Sequence, residues 1–327
     1  MNWQDTRVLV TGAGGFIGSH LAERLVEKGA RVRALVHYNA LGTWGWLDHS
    51  PLAGRMEVVA GDITDFGSVR RAARDRQVIF HLAALIAIPY SYTAPASYAR
   101  TNLEGTLNLL EAARETAVER LVHTSTSEVY GTARWVPIGE DHPLQGQSPY
   151  SASKIAADKM AEAYHLSFGL PVVTVRPFNT FGPRQSARAV IPTIITQCLA
   201  GTEVRLGNLH PTRDLNFVAN TVDGFLVAAA APAALGRVVN LGSGREISIG
   251  DLAGLIMKLC GKELPIVCED QRLRPTGSEV ERLLADNRLA SELLGWRPRV
   301  DLEEGLARTI DWLSQHMERY RPGVYVV

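Results

Sequence analysis

Four residues have the types and spacing that a proton-transfer site requires: Thr126, Glu128, Tyr150 and Lys154. Tyr150 and Lys154 stand four residues apart at the start of a predicted helix, so their side chains share one face. A neighbouring ammonium favours tyrosinate and should lower the pKa of Tyr150, which would make it a usable base near neutral pH. Thr126 follows a predicted strand, where its hydroxyl can bond a substrate oxygen. Glu128 adds a carboxylate that suits proton abstraction from carbon.

A glycine-rich turn near the start of the chain predicts a dinucleotide site. Residues Thr11–Gly18 follow a short apolar strand and open a helix, with three of their glycines at three-residue spacing. Small residues let the backbone approach a pyrophosphate, and the helix amino terminus supplies N–H groups and positive potential. We therefore expect the cofactor to contact Gly12, Gly15, Phe16, Ile17 and Gly18.

The end of the second predicted strand bears on the choice between NAD and NADP. An acidic residue there would accept a hydrogen bond from the ribose 2′-hydroxyl and indicate NAD. The chain instead has His37, which suits either a 2′-phosphate or an ordinary surface position, so both cofactors stay open and NAD is the expectation. Further cofactor contacts are predicted where other strands end, at Asp62, Ile63, Leu82, Ala83 and Ala84.

Strands and helices alternate through the first half of the chain. Strands are predicted at Arg7–Thr11, Arg31–Val36, Met56–Ala60, Val78–Leu82, Arg120–Thr124 and Val172–Arg176. Helices are predicted at Phe16–Lys28, from about Ser68, at Ser97–Thr116 and at Ser151–Phe168. This alternation indicates an α/β protein with a Rossmann-type, doubly wound parallel sheet that helices cover on both faces.

The second half of the chain is less regular and predicts a smaller, interleaved C-terminal lobe that binds substrate. A strand at Arg237–Leu241 is expected to return to the main sheet. We therefore assign residues 1–178, with 214–243 returning, to the dinucleotide-binding domain. Residues 179–213 and 244–327 form the predicted substrate-binding lobe.

Composition excludes several classes of function. The 327 residues carry 34 basic and 34 acidic side chains, so the chain lacks the positive charge of a nucleic-acid-binding protein. The longest apolar run, Phe225–Leu235, is too short to span a bilayer, and no signal peptide is expected. The three cysteines, Cys198, Cys260 and Cys268, match no metal-ligand spacing. We expect a cytoplasmic protein without a metal, a nucleic-acid partner or a membrane anchor.

The motifs together resemble a known family. The matching pieces are Thr11–Gly18, Asp62 and Ile63, His81–Ala84, Asn102, Ser125–Gly131, Tyr150–Lys154 and Arg176–Asn179. On these residues the chain resembles an extended short-chain dehydrogenase/reductase of the NAD-dependent epimerase/dehydratase family. The resemblance implies a tightly held nicotinamide that oxidises C4 of a nucleotide-linked hexose and later returns the hydride. It also implies that Asn102, Thr124, Tyr150 and Lys154 contact the cofactor.

Glu128 and Ser127 subdivide this family. The 4,6-dehydratases have a glutamate at the position of Glu128. The resemblance therefore implies that the Glu128 carboxylate removes the C5 proton before the C6 hydroxyl leaves. Ser127 departs from the glucose-type enzymes, which commonly have Asp there as the acid for the C6 oxygen, and serine is too weak an acid for that role. UDP-glucuronate decarboxylase and nucleotide-sugar 4-epimerase therefore stay open as alternatives. A silent dinucleotide-binding sensor or scaffold is the non-enzymatic alternative.

Longer stretches narrow the resemblance. Asn39–Leu47, Pro143–Tyr150 and Phe178–Pro192 look like the 4,6-dehydratases of legionaminic-acid-type pathways, which act on a nucleotide-linked N-acetylglucosamine. The resemblance implies UDP- or GDP-N-acetylglucosamine as substrate, bound by Asn179, Arg184, Arg213 and Arg274. It also implies a homodimer in which the helices at Ser97–Thr116 and Ser151–Phe168 pair across a two-fold axis as a four-helix bundle.

Overall fold

A computed structural model describes residues 1–325 and contains one large sheet with helices on both faces. The strands are β1 (Arg7–Thr11), β2 (Arg31–His37), β3 (Glu57–Gly61), β4 (Val78–His81), β5 (Arg120–Thr124), β6 (Val172–Pro177), β7 (Asn179–Phe181), β8 (Val204–Leu206), β9 (Thr212–Phe217), β10 (Val238–Leu241), β11 (Glu246–Ser248) and β12 (Ile266–Cys268). The helices are α1 (Phe16–Glu27), α2 (Phe66–Ala73), α3 (Ile88–Thr93), α4 (Pro95–Tyr98), α5 (Gly105–Glu115), α6 (Pro149–Phe168), α7 (Val190–Ala200), α8 (Val218–Ala230), α9 (Ile249–Leu259), α10 (Arg288–Leu294) and α11 (Leu302–Ser314).

The main sheet is parallel and has the strand order β10-β6-β5-β4-β1-β2-β3. The order reverses between β1 and β4, and open sheets of this kind bind ligands at that point, beyond the carboxyl ends of the strands. The predicted Rossmann-type fold is confirmed. Strand β10 pairs with β6, so the chain does return to the main sheet after β9.

The lobe beyond β6 contains two small sheets, with orders β11-β9-β7 and β12-β8. Strands β7 and β9 pair in parallel, which joins the segment after β6 to the segment that carries Arg213. Because β10 belongs to the main sheet, the two parts of the chain are interleaved along the sequence.

Two apolar clusters cover the two faces of the sheet. Val8 and Val10 of β1 pack in one cluster with Phe225 of α8, whereas Leu9 packs in the other with Leu109 of α5. This alternation follows from the pleat of a strand, in which successive side chains point to opposite faces. Because helices cover both faces of the sheet, a ligand can contact it only at the ends of the strands.

Helix α6, which carries Tyr150 and Lys154, has well-defined ends. Ser148 caps its start by accepting a hydrogen bond from the Ser151 N–H, and Pro149 occupies the first turn, where its missing N–H costs nothing. Gly169 ends the helix in the left-handed conformation. The helix therefore starts at a fixed position, one residue before Tyr150.

The long helix predicted at Ser97–Thr116 is interrupted. A π-helical segment, Ala99–Glu104, separates α4 from α5 and contains Asn102. The wider π turn lets the Asn102 side chain bond both backbone groups of Leu85, at 2.9 Å each, and Ser153 Oγ. A long-range polar contact, which helical periodicity cannot reveal, explains the difference.

No helix in the described part of the chain is long and apolar enough to cross a membrane. Residues 1–325 also contain no group of three or more His, Cys, Asp or Glu side chains that could hold a metal ion.

Candidate active site

The glycine turn brings the backbone of β1 and α1 against the end of β4. Gly12 has a φ of +69°, and a Cβ atom there would lie 2.8 Å from the backbone nitrogen of Ala83. A Cβ at Gly18 would lie 2.1 Å from the Gly12 carbonyl oxygen. Both positions require glycine because backbone atoms occupy the space that a side chain would fill. The turn therefore offers bare backbone to a ligand at the start of α1.

A buried hydrogen-bond chain fixes this turn, and sequence reasoning missed it. Thr11 Oγ1 accepts from the backbone N–H groups of Leu82 and Ala83, both at 3.1 Å, and contacts His81 Nδ1 at 2.9 Å. His81 Nε2 contacts Thr106 Oγ1 at 3.0 Å. Burial lowers the pKa of His81 well below its usual value, so the ring is neutral. The available sequence signals were Thr11, directly before the glycines, and His81, at the end of β4.

One cavity of about 1060 Å³ runs from the glycine turn to the lobe that contains β7 and β9. It gathers most of the predicted site residues along its wall. These are Gly12, Gly15, Phe16, Ile17, Gly18, His37, Leu82, Ala83, Ala84, Thr124, Thr126, Ser127, Glu128, Tyr150, Lys154, Asn179, Arg213 and Arg274.

Four predicted contacts do not line this cavity: Asp62, Ile63, Asn102 and Arg184. Arg184 instead donates to both carboxylate oxygens of Glu23 at 3.0 Å, and it also bonds Ser19. Asp62 accepts from the backbone and hydroxyl of Thr64, which makes it the cap of a local turn. Arg184 was assigned to the substrate from the family resemblance, and the distant Glu23 that binds it gave no signal in the sequence.

Ile63 and Asn102 hold the scaffold behind the cavity wall. The Ile63 side chain is buried and packs against Gly105 at the start of α5. Asn102 joins Leu85 to Ser153 of α6 through the bonds given above. Neither side chain therefore lines the cavity, and both act on it indirectly by positioning the elements that they connect.

Lys154 is buried at the centre of the site. Its Nζ atom donates to the backbone oxygen of Thr124 at 2.6 Å. Burial lowers the pKa of Lys154 to about 8, and the nearby charge of Asp158 opposes this change. The ammonium form therefore predominates at neutral pH and is lost as the pH rises above about 8.

Asp158, one helical turn after Lys154, is the centre of a buried polar network. It accepts hydrogen bonds from Ser125 Oγ at 2.8 Å and from Arg176, and it contacts His123 Nε2 at 3.1 Å. Arg176 in turn donates to the Tyr130 hydroxyl. The network ties α6 to β5 and β6, and this fixes the position of Lys154. Sequence reasoning did not identify Asp158.

The prediction that the pKa of Tyr150 is lowered is wrong for the protein without bound ligands. Burial raises the pKa of Tyr150 above its ordinary value, the Thr126 hydroxyl opposes the rise, and the charge of Glu128 adds to it. Helical spacing predicted that Lys154 and Tyr150 share a face, but it could not reveal how completely the phenol is buried. Tyr150 is therefore a phenol at neutral pH.

Thr126 and Glu128 begin the short turn after β5. Thr126 Oγ1 accepts a hydrogen bond of 3.2 Å from the Glu128 backbone N–H, which caps the turn. Ser127, Glu128 and Tyr130 are all buried. The turn thus places the hydroxyl groups of Thr126 and Ser127 and the carboxylate of Glu128 in one cavity with Tyr150.

Two arginines and two carboxylates meet beside this turn. Arg213 Nη2 bonds Glu279 Oε1 at 3.3 Å, and Arg274 Nη1 lies 3.7 Å from the same oxygen. Arg274 Nη1 also lies 3.8 Å from Glu128 Oε2. Burial lowers the pKa of Arg213, and the neighbouring carboxylates oppose that change. Glu279 was not identified from sequence, since its spacing from Arg274 matches no motif used there.

Two oxygen atoms on the cavity wall indicate where a polar ligand fits. Thr124 Oγ1 and Asn179 Oδ1 are buried and have no hydrogen-bond partner among residues 1–325. Buried polar atoms in native proteins are nearly always paired. Together with the bare backbone at Gly12 and Gly18, these atoms fit a dinucleotide and a second polar ligand in one cavity.

Comparison with known proteins agrees with this geometry. The family model described as GDP-mannose 4,6 dehydratase matches residues 9–309. A UDP-glucose 4-epimerase of Mycolicibacterium smegmatis is 36% identical over 94% of this chain and 98% of its own length. A dTDP-glucose 4,6-dehydratase of Streptomyces griseus is 36% identical over 97% of both chains. The solved structure of the dTDP-glucose 4,6-dehydratase DesIV from Streptomyces venezuelae, which contains NAD, has a TM-score of 0.88 and 31% identity, covering 97% of this chain and 99% of DesIV.

Proposed function

This chain belongs to the GDP-mannose 4,6 dehydratase family of NAD-dependent nucleotide-sugar enzymes, and we propose that it is a nucleotide-sugar 4,6-dehydratase. Its substrate is UDP- or GDP-N-acetylglucosamine, and its product is the 4-keto-6-deoxy sugar. The observation that carries this proposal is the buried Glu128 carboxylate in the same cavity as Thr126, Tyr150 and Lys154. A 4-epimerase does not need that carboxylate, because it leaves the C5 proton in place.

NAD fits the part of the cavity that the glycine turn lines. The pyrophosphate would lie against the bare backbone of Gly12 and Gly15, and the N–H groups at the start of α1 would hold it. Lys154 would hold a ribose hydroxyl, and the side chains after β2 and β4 would border the adenosine. The chemistry that NAD would supply there is reversible hydride transfer, from C4 of the sugar and later to C6, and its oxidised ring carries a positive charge. The predicted domain of residues 1–178 with 214–243 would hold it, except that residues 214–217 belong to β9 in a small sheet of the lobe.

The chain's own groups move the protons of the C4 oxidation. The Thr126 hydroxyl bonds the C4 oxygen, and Tyr150 takes the C4 hydroxyl proton. Since burial raises the pKa of Tyr150, the tyrosinate forms only when positive charge is close to it. The Lys154 ammonium, four residues further along α6, is proposed to supply part of that charge. Tyr150 would therefore be an effective base only with the positively charged cofactor bound.

Glu128 then performs the step that defines a dehydratase. The C4 ketone acidifies the C5 proton, and Glu128 removes it. Ser127 is too weak an acid to protonate the C6 oxygen, so Glu128 passes the same proton to that oxygen as water leaves. A solvent proton enters at C5 when the hydride returns to C6. The net change is the loss of one water, with no net consumption of cofactor.

The other end of the cavity binds the nucleoside diphosphate. Arg213 and Arg274 are the guanidinium groups of the proposed diphosphate site, and such groups bind phosphate by paired hydrogen bonds. The unpaired Asn179 Oδ1 accepts a hydrogen bond from the ligand. Arg184 is not part of this site, because Glu23 binds its guanidinium.

A UDP-glucuronate decarboxylase is the second candidate, and Ser127 is the observation that favours it. A 4-keto uronate loses carbon dioxide without protonation of a C6 hydroxyl, so a weak acid at position 127 would be sufficient. The dehydratase has the stronger support, because a carboxylate at position 128 has a direct role in removing the C5 proton.

Product mass distinguishes these reactions. The purified protein is incubated with UDP- and GDP-N-acetylglucosamine and with UDP-glucuronate, without added cofactor, and each product is weighed by mass spectrometry. The proposal expects one N-acetylglucosamine nucleotide to lose the mass of one water. Loss of carbon dioxide from UDP-glucuronate would replace it with the decarboxylase, and isomerisation without a mass change would replace it with an epimerase. Nucleotides released from denatured protein identify the bound cofactor.

A further inference from the structure

The contact between Arg274 and Glu128 connects the proposed diphosphate site to the proposed base. Arg274 Nη1 lies 3.8 Å from Glu128 Oε2 and 3.7 Å from Glu279 Oε1. This nitrogen is buried and has no hydrogen-bond partner among residues 1–325. It is therefore attracted by two carboxylates without being hydrogen-bonded to either.

Arg213 is held differently. Its guanidinium donates to the Thr212 backbone oxygen at 2.9 Å and to Glu279 Oε1 at 3.3 Å, and its side chain is 7% exposed. The Arg274 side chain is 24% exposed. When an anion binds, Arg274 therefore breaks fewer hydrogen bonds than Arg213 does, and its more exposed side chain can move more easily.

The charges in this cluster already balance. Two guanidinium groups, Arg213 and Arg274, face two carboxylates, Glu128 and Glu279. A diphosphate that enters must compete with these carboxylates for the guanidinium groups, because an anion gains most from a cation that is not already neutralised. The contacts most easily exchanged are those of Arg274, because no hydrogen bond joins its Nη1 atom to Glu128 or Glu279. Glu279 keeps its hydrogen bond from Arg213 when Arg274 moves, so the exchange affects Glu128 most.

We propose that Arg274 is a positioning residue that holds Glu128 until the diphosphate of a nucleotide sugar draws the guanidinium away. Diphosphate binding would then free the Glu128 carboxylate to face C5 of the same substrate molecule. The inference rests on the proposed function for its substrate class, but it concerns only how diphosphate binding and Glu128 compete for one guanidinium.

Competition of this kind has a signature in binding that does not require turnover. If Glu128 competes with the diphosphate for Arg274, removal of its charge must tighten the binding of a nucleoside diphosphate. Couplings between two sites commonly reach roughly 5- to 150-fold, and we expect roughly tenfold here because both groups are largely buried. The effect must disappear when Arg274 has no charge.

The experiment is a double-mutant cycle on the full-length protein, purified with the cofactor that it retains. The dissociation constants of UDP and GDP are measured by calorimetry for the unmodified protein, Glu128→Gln, Arg274→Gln and the double variant. Glu281→Gln is the control, because Glu281 is exposed and its side chain makes no ion pair within the described residues. If Arg274→Gln does not fold, Arg274→Met keeps the apolar stem and is judged by the same criterion.

The expected result is tighter binding of at least one nucleoside diphosphate by roughly tenfold in Glu128→Gln, no change in Glu281→Gln, and no Glu128→Gln effect when Arg274 is already replaced. Unchanged or weaker binding in Glu128→Gln would overturn the inference, as would an equal effect in both backgrounds or no binding to the unmodified protein. If Glu128→Gln tightens diphosphate binding only when Arg274 is present, but the protein does not remove water from the sugar, the proposed function alone is refuted. Elimination without coupling would refute this inference alone.

Discussion

Lys154 Nζ donates a 2.6 Å hydrogen bond to the backbone oxygen of Thr124. This bond joins the first turns of α6 to the end of β5, two residues before Thr126. It therefore sets the separation between the tyrosine and lysine on the helix and the threonine and glutamate after the strand. The same ammonium is buried, and this makes its charge sensitive to pH.

The pH dependence of activity follows from Lys154. Burial lowers its pKa to about 8, so the ammonium that supports the Tyr150 tyrosinate is lost as the pH rises through that value. We expect kcat/KM to fall above about pH 8 with the loss of one proton. Lys154→Arg should move the descending limb to higher pH, whereas Lys159→Arg, an exposed residue of the same helix, should leave it in place. A limb at the same pH in Lys154→Arg would exclude Lys154 as its source.

Acid stability is expected to depend on Asp158. Burial alone would raise its pKa, but the hydrogen bond from His123 and the charges of Arg176 and Lys154 lower it to about 2 from 3.8. The folded-state pKa is thus below the unfolded one, so this stabilisation is complete above about pH 4 and is lost as the pH falls towards 2.

Asp158→Asn should lower the free energy of unfolding at neutral pH by about 3–5 kcal/mol, because it leaves the Arg176 charge buried and uncompensated. Urea denaturation at pH 7 measures this change, and a series between about pH 4 and pH 2 measures how the Asp158 contribution is lost. Glu162→Gln removes an exposed ion pair from the same helix and should cost less than about 1 kcal/mol. Equal effects of the two substitutions would show that the Asp158 network does not stabilise the fold.

Gly18→Ala tests the backbone packing at the dinucleotide turn. Its Cβ would lie 2.1 Å from the Gly12 carbonyl oxygen, so we expect a loss of about 1–3 kcal/mol in unfolding free energy and weaker retention of NAD. Gly254→Ala in α9 is the matched control, because nothing lies within 4 Å of the added Cβ, and it should stabilise by up to about 1 kcal/mol. Thermal unfolding and cofactor release measure both variants. Normal NAD retention in a stable Gly18→Ala protein would contradict the assigned role.

Arg184 and Arg213 differ in their expected effects on nucleotide binding. Arg213→Gln should weaken binding of a nucleoside diphosphate about tenfold or more, since a hydrogen bond to a charged group is worth about 1.5–3 kcal/mol. Arg184→Gln should change it by less than about twofold, because Glu23 binds that side chain outside the cavity. Calorimetric titration with UDP and GDP compares the two, and similar losses would return Arg184 to the substrate site.

Local sequence patterns were sufficient for the fold and for the groups that lie on one element. The glycine motif, the strand ends and the Tyr150–Lys154 spacing each depend on residues close together in sequence, and the predicted sheet is confirmed. Asp62 was misassigned because it caps a local turn at Thr64, whereas the other missed features depend on distant contacts. The high pKa of Tyr150 results from burial, the position of Arg184 from Glu23, and the π turn at Asn102 from Leu85. The homodimer stays a prediction.

The most direct test of the central claim is solvent deuterium incorporation at C5. Turnover of the substrate in D₂O should give a product that has lost one water and carries one deuterium at C5, measured by mass spectrometry and NMR. An elimination that leaves a C5–C6 alkene loses the same mass but has no hydrogen at C5. Glu128→Gln should abolish both water loss and deuterium incorporation. Full elimination with deuterium at C5 in Glu128→Gln would contradict the assignment of Glu128 as the base.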